Sequence, residues 1–182
     1  MPTFVVLLRG VNVGKAKRVP MADFRALLSG LGYTRVTTLL NSGNAVFHAT
    51  PGTTARHAAD IAAAISAQLG VDVPVIVKSA RELTAIIAEN PIAVDAPEHS
   101  RFLVAFVPDA KALRGLAGLE SLVVPPERFV VGGNAAYLLC PAGILKSKAW
   151  EALLGKVGRS ATSRNWATVL KLQALAQADE KT

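Results

Sequence analysis

Apolar and polar positions follow two rhythms along this chain, and the changes of rhythm mark its elements. Residues 4–9 form a clean apolar run closed by Arg9, which reads as a first β-strand. A 3.6-residue period then predicts a helix over 21–31, opened by Pro20 and closed by Gly32. Short strands are expected over 36–40 and 45–49, on either side of the turn Asn41-Ser42-Gly43-Asn44, where Gly and Asn supply the positive φ angles of a tight hairpin. Residues 54–69 are an alanine-rich helix with Ala58, Ile61, Ala62 and Ile65 on one face, ended by Gly70, and 73–77 is the next strand. The order β-α-β-β-α-β is that of a split βαβ, ferredoxin-like unit.

The second half predicts a helix over 80–89 stopped by Pro91, a polar loop through Pro97, and a strand over 101–107. A short helix over 110–118 follows, then strands over 128–131 and 135–139 about Gly132-Gly133-Asn134. Gly43-Asn44-Ala45-Val46-Phe47 lines up with Gly133-Asn134-Ala135-Ala136-Tyr137, and with the repeated element order this predicts a degenerate duplication. The copy then departs, because 146–154 and 163–176 read as two helices where a helix and a fourth strand would complete it. In the last helix Ser163 is the expected N-cap, Trp166, Val169 and Leu170 form the core face, and Arg164, Thr168 and Lys171 lie opposite. Residues 177–182 read as a frayed tail. The expected class is α+β: two related ferredoxin-like subdomains, 1–78 and a degenerate 101–157, joined by a connecting helix and loop over 79–100 and followed by a C-terminal helix and tail over 158–182.

Composition narrows the class without naming a reaction. The 182 residues suffice for one large domain or two fused small ones. With 51% apolar and 18% charged residues the chain is too hydrophobic for disorder, and no apolar run approaches the roughly 18 residues of a spanning helix. The first strand has no basic leader or cleavage site before it, so a cytoplasmic protein without a membrane partner is expected. Cys140 is the single cysteine and, between Leu139 and Pro141, reads as a small buried hydrophobe with a poorly reactive thiol. His48, His57 and His99 lack metal-ligand spacing, and neither a metal nor a cofactor is expected.

Net charge is +7 and the pI about 9.9, which favours acidic or phosphate-bearing partners. The positive excess lies in two segments. Residues 9–35 carry six bases (Arg9, Lys15, Lys17, Arg18, Arg25, Arg35) against Asp23, and 146–171 carry six (Lys146, Lys148, Lys156, Arg159, Arg164, Lys171) against Glu151. In the expected topology the first strand pairs with the third, so the loop after the first strand and the 41–44 turn lie at one end of the sheet. Arg9, Asn12, Lys15, Ser42 and Asn44 are thereby candidates for one anion site, in which glycine-lightened backbone would approach phosphate or carboxylate between flanking cations. Arg164 and Lys171 are candidates for an additional basic surface. The loop is not a Walker A motif, since three residues separate Gly10 from Gly14 and Ala16 follows Lys15. Ser42 has no His placed to activate it and reads as a turn residue.

The stretches 7–14, Val19-Pro20-Met21, Ser42-Gly43-Asn44 with Phe47, and Arg164-Asn165-Trp166 with Thr168, Val169, Lys171 and Leu172 resemble, over nearly the whole chain, the bacterial DUF1697 family of unknown function. The resemblance implies an α+β fold of two related subdomains and brings no activity or catalytic residues. Against the family pattern, Lys15 stands in place of a second glycine, Ala16 in place of a base, and Asn41 in place of a glutamine.

Three functions follow as expectations. The first is binding of a phosphate-bearing ligand, either a nucleotide-like molecule or a nucleic-acid backbone. An RNA-recognition sheet is disfavoured because strands 4–9 and 45–49 lack the Gly-aromatic pattern that stacks bases. The second is an enzyme acting on an anionic substrate, which lacks an evident base in the loop or turn. The third is a structural or protein-interaction module.

Overall fold

The computed structural model describes residues 1–181. It is a mixed α+β protein with two four-stranded antiparallel sheets. In the first unit, residues 1–83 with those from 172 onward, the order along the chain is β1 (Thr3–Leu8), α1 (Met21–Gly30), β2 (Thr34–Leu39), β3 (Asn44–His48), α2 (Thr54–Leu69), β4 (Val75–Ser79). Helix α3 (Ala80–Ala88) leads on to residues 84–171, the second unit, with β5 (Phe102–Phe106), α4 (Ala110–Arg114), β6 (Arg128–Val131), β7 (Ala136–Leu139), α5 (Lys148–Leu154) and β8 (Thr162–Asn165). Helix α6 (Trp166–Glu180) follows. The sheets run β2-β3-β1-β4 and β6-β7-β5-β8.

Local chemistry sets most helix ends. Thr53 caps α2 by accepting from the Arg56 N–H, and Gly70 ends that helix at φ 68°. Ser79 and Glu82 form a reciprocal capping box on α3, with Glu82 N–H donating to Ser79 Oγ at 3.1 Å and Ser79 N–H to Glu82 Oε2 at 2.7 Å. Asp109 caps α4 by accepting from Ala112 N–H at 2.8 Å, and Ser147 caps α5 by accepting from Trp150 N–H at 3.1 Å.

Each unit has its own core. In the first, Phe4, Val6 and Leu8 of β1 cluster with Phe24, Leu27 and Leu28 of α1 and Ile61 and Ile65 of α2. The rings of Phe4, Tyr33, Phe47 and His57 pack together there, and the Tyr33 hydroxyl lies 2.9 Å from His57 Nδ1. In the second, Leu103, Ala105, Leu113, Leu119, Leu138, Leu153 and Cys140 cluster.

Two expectations at the C-terminal end are corrected. Residues 162–165 form a strand and not the first turn of a helix: β8 pairs antiparallel with β5, from Phe106↔Thr162 to Leu103↔Asn165. Its polar sequence carries no strand signal, and the open edge of β5 supplies the backbone partners. The N-cap of α6 is accordingly Asn165, whose Oδ1 accepts from Thr168 N–H at 2.9 Å, and not Ser163. The helix runs to Glu180 where a frayed tail was expected, and Thr182 lies outside the described residues.

The two Gly-Asn turns differ. Gly43 is the last residue of its loop, at φ 84° and directly before β3. Gly133 and Asn134 are the middle of a tighter turn closed by Gly132 N–H on Ala135 O at 2.8 Å. Asn44 of β3 pairs with Leu39, whereas in the second hairpin Ala136 pairs with Val131, so the sequence match is two residues out of step with the strand pairing.

Candidate functional site

The end of β1 and the β2–β3 turn meet as expected. Leu7 pairs with Asn44, and the Leu8 N–H donates to Gly43 O at 2.8 Å. Gly43 is glycine for two reasons: its φ, and the approach of β1, since a Cβ there would stand 2.7 Å from Leu8 Cβ and 2.8 Å from Val11 Cγ2.

Asn12 organises the loop between β1 and α1. At φ 58° its N–H donates to Lys17 O at 3.1 Å. Its Nδ2 donates to Val19 O at 2.8 Å and to Asn41 O at 2.7 Å, while its Oδ1 accepts from Val19 N–H at 2.9 Å. One side chain therefore pinches the loop at its base and ties it to the β2–β3 turn. Residues 13–18 lie beyond the pinch and are all exposed, so Lys15, Lys17 and Arg18 form an exposed basic tip. Gly10 and Gly14 serve the turn through φ of 67° and 62°, with open space where a Cβ would lie.

Arg9 sits at the root of this tip, half-buried, its N–H donating to Pro74 O at 3.0 Å, and burial lowers its guanidinium below the usual arginine pKa. Asn44 is fully buried and spends both Nδ2 hydrogens internally, on Leu39 O at 2.9 Å and Ser42 Oγ at 2.8 Å. Of the five candidate residues, then, Arg9, Asn12, Ser42 and Asn44 are gathered by the pairing of β1 with β3. Lys15 belongs to the exposed tip. Asn12 and Asn44 are braces whose amide hydrogens are committed within the protein, and Ser42 is exposed at the turn. A surface cleft of about 410 Å³ beside the loop is lined by Lys17, Ala62, Asp72, Val73 and Pro74.

The additional basic surface is corrected at one residue. Arg164 is only 8% exposed, on β8, with Nη1 donating to Thr162 Oγ1 at 2.8 Å and to Ser163 O at 2.9 Å. Burial pushes its guanidinium down to about 10. Lys171 is exposed on α6. An alternating strand aims Thr162 and Arg164 to the same side, which a helical period hides.

Sequence reasoning missed three parts of this picture. Asn41, the receiver of the Asn12 amide, had a signal in its place beside Ser42. Asp72 is a carboxylate in the cleft with Lys17, and its Oδ1 accepts from Ser66 Oγ at 3.2 Å. Glu89, which binds the β6–β7 turn, had no local signal. Among the described residues no three His, Cys, Asp or Glu side chains gather as a metal site, and no helix is long and apolar enough to cross a membrane.

Comparison with known proteins bears on the fold and the family. A solved structure of a conserved bacterial protein from Streptococcus pneumoniae superposes with a TM-score of 0.79 at 23% identity, covering 96% of this chain and 98% of that one, a likeness of fold. No curated protein matches. The model of the family described as "Protein of unknown function (DUF1697)" matches residues 1–137, which include the pinched loop and the first hairpin and end inside the second, short of Arg164-Asn165-Trp166. With three quarters of its length matched, from the first strand into β7, the chain belongs to the DUF1697 family.

Proposed function

We propose that this is a cytoplasmic binding protein for a phosphate-bearing ligand, held at the tip of the β1–α1 loop with Arg9 at its root and Ser42 at its rim. One observation carries the reading: the Asn12 brace closes residues 13–18 into an exposed loop with three bases in four positions, next to a half-buried arginine. Exposed cations suit an extended polyanion, a nucleic-acid backbone, better than a nucleotide enclosed in a pocket. Asn12 and Asn44 position the loop and turn in this reading, and Arg9 and Lys15 contact phosphate.

The test is titration of a single-stranded and a duplex oligonucleotide, with a mononucleotide as the small-ligand arm. Arg9→Ala should weaken oligonucleotide binding by roughly 1–3 kcal/mol, as expected for a partly desolvated charge-assisted hydrogen bond. Lys15→Ala should cost about 1 kcal/mol or less because its ammonium is exposed. Equal losses in Lys156→Ala would reduce the effect to bulk charge and defeat the site. A preference for the mononucleotide would replace the polyanion with a small ligand.

For the architecture, we propose that the two sheets are copies of one split βαβ unit. Support comes from their matching element order and strand order. The equivalence runs Leu7 to Ala105 and Asn44 to Ala136, following strand pairing and not the Gly-Asn motif. A crystal structure in which β1, β3 and β4 superpose on β5, β7 and β8 only in another register would overturn it.

A further inference from the structure

A second polar cluster, within residues 84–171, gathers around Glu89. Glu89, one residue beyond α3, places its carboxylate in the β6–β7 turn. Oε1 accepts from Asn134 N–H at 2.9 Å and Ala135 N–H at 3.2 Å, with the Tyr137 hydroxyl 2.9 Å away. Oε2 accepts from Gly133 N–H at 3.2 Å and Asn134 Nδ2 at 3.0 Å. The Tyr137 hydroxyl has one proton and two acceptors within reach, Glu89 Oε1 and Ile86 O.

The glycines of this turn are shaped to the carboxylate. A Cβ on Gly132 would stand 2.6 Å from Oε1, and one on Gly133 would stand 3.3 Å from Oε2. Gly133 has no positive φ, and the approach of Oε2 leaves little room for a Cβ there. Three successive backbone N–H groups pointing to one spot form an anion-holding concavity. The donors divide between two oxygens, which is the pattern of a planar carboxylate.

We propose that the β6–β7 turn is a preformed carboxylate receptor and that Glu89 is its tethered occupant, closing it to carboxylates from outside the chain. The site is independent of the phosphate reading in the first unit. A ligand carrying a free carboxylate, such as an acidic side chain or a chain terminus of a partner, enters only by displacing Glu89.

Acetate is the probe. In Glu89→Ala, acetate should shift the Gly133, Asn134 and Ala135 amide resonances saturably and raise the melting temperature, while inorganic phosphate at the same concentration does less. Wild type should show no saturable shift at these amides. A folded Glu89→Ala protein that gives no saturation reduces Glu89 to a brace and overturns the receptor, and an equal response in wild type overturns the closure. Should Glu89→Ala not fold, Glu89→Gln keeps the size and removes the charge. Amide exchange at Asn134 and Ala135 should then quicken by about tenfold or more, the scale of one charge-assisted hydrogen bond, with β1 amides unchanged. Unaltered exchange at these two amides would show that the turn does not hold a carboxylate.

Discussion

At the residue scale, two side chains have roles that their burial and bonding define. Asn12 makes four hydrogen bonds from its side chain, the longest 3.4 Å to Asn41 Oδ1, while its backbone holds φ 58°, a conformation asparagine tolerates better than most residues. Asn12→Ala should lower stability by about 2–3 kcal/mol, since two carbonyls and one N–H lose partners and the left-handed backbone loses its favoured residue. Urea denaturation measures this, and a change within about 0.5 kcal/mol would mean the brace is dispensable. Cys140 is 2% exposed, and burial pushes its thiol from 9.0 up to about 11, with the Glu127 charge adding and a Ser147 hydrogen bond opposing. Between those values the unfolded thiol releases its proton and the folded one keeps it. Stability from this group is therefore full below about pH 9 and lost as pH rises toward about 11, on the order of 2 kcal/mol in all. Denaturation of wild type and Cys140→Ala at about pH 8 and about pH 10.5 should show a steeper alkaline loss in wild type. Thiol labelling of the native protein should also be much slower than of the unfolded chain.

At the element scale, the contact of β1 with the β2–β3 turn is what assembles the candidate site, and Gly43 permits it. Gly43→Ala meets both a φ of 84° and side-chain atoms at 2.7 and 2.8 Å. The expected loss is about 2–4 kcal/mol from backbone strain and overpacking together. Gly14→Ala, where a Cβ meets nothing, carries only the φ penalty of roughly 1 kcal/mol. A thermal melt of the pair separates close approach from conformation. If the two shift alike, steric contact with Leu8 and Val11 is not what selects glycine at 43. The same scale explains β8, whose residues Thr162-Ser163-Arg164-Asn165 become a strand through pairing with β5 and not through propensity.

At the scale of the whole molecule, a net charge of +7 attracts polyanions from any direction, and position must be separated from sum. Loss of a phosphate contact should flatten the plot of log affinity against log salt by roughly 0.7–0.9 for each contact removed. Arg9→Ala and Lys15→Ala should each show this flattening with an oligonucleotide, and Lys156→Ala, with the same net charge, should keep the wild-type slope. Three parallel slopes would assign binding to overall charge. Arg164 contributes to the sum but little to the surface, because its side chain is buried on β8.

The order of elements was legible from the sequence because each depends on near neighbours. Period 3.6 over 54–69, the breakers Gly32, Gly70 and Pro91, and the turn residues 41–44 act within a few positions, and all emerge as helices, stops and a hairpin. The family resemblance was legible for the same reason, since its motifs are short contiguous strings. The functions of individual side chains were decided by tertiary structure. Asn12 reads as a ligand contact until Asn41, 29 residues away, receives its amide. Glu89 reads as a helix-end acid until the turn 44 to 46 residues on supplies its donors. Arg164 reads as a surface base until the edge of β5 takes its strand. A hydrogen bond between distant residues leaves no periodic trace, because its partners are set by which strands lie side by side and in what register.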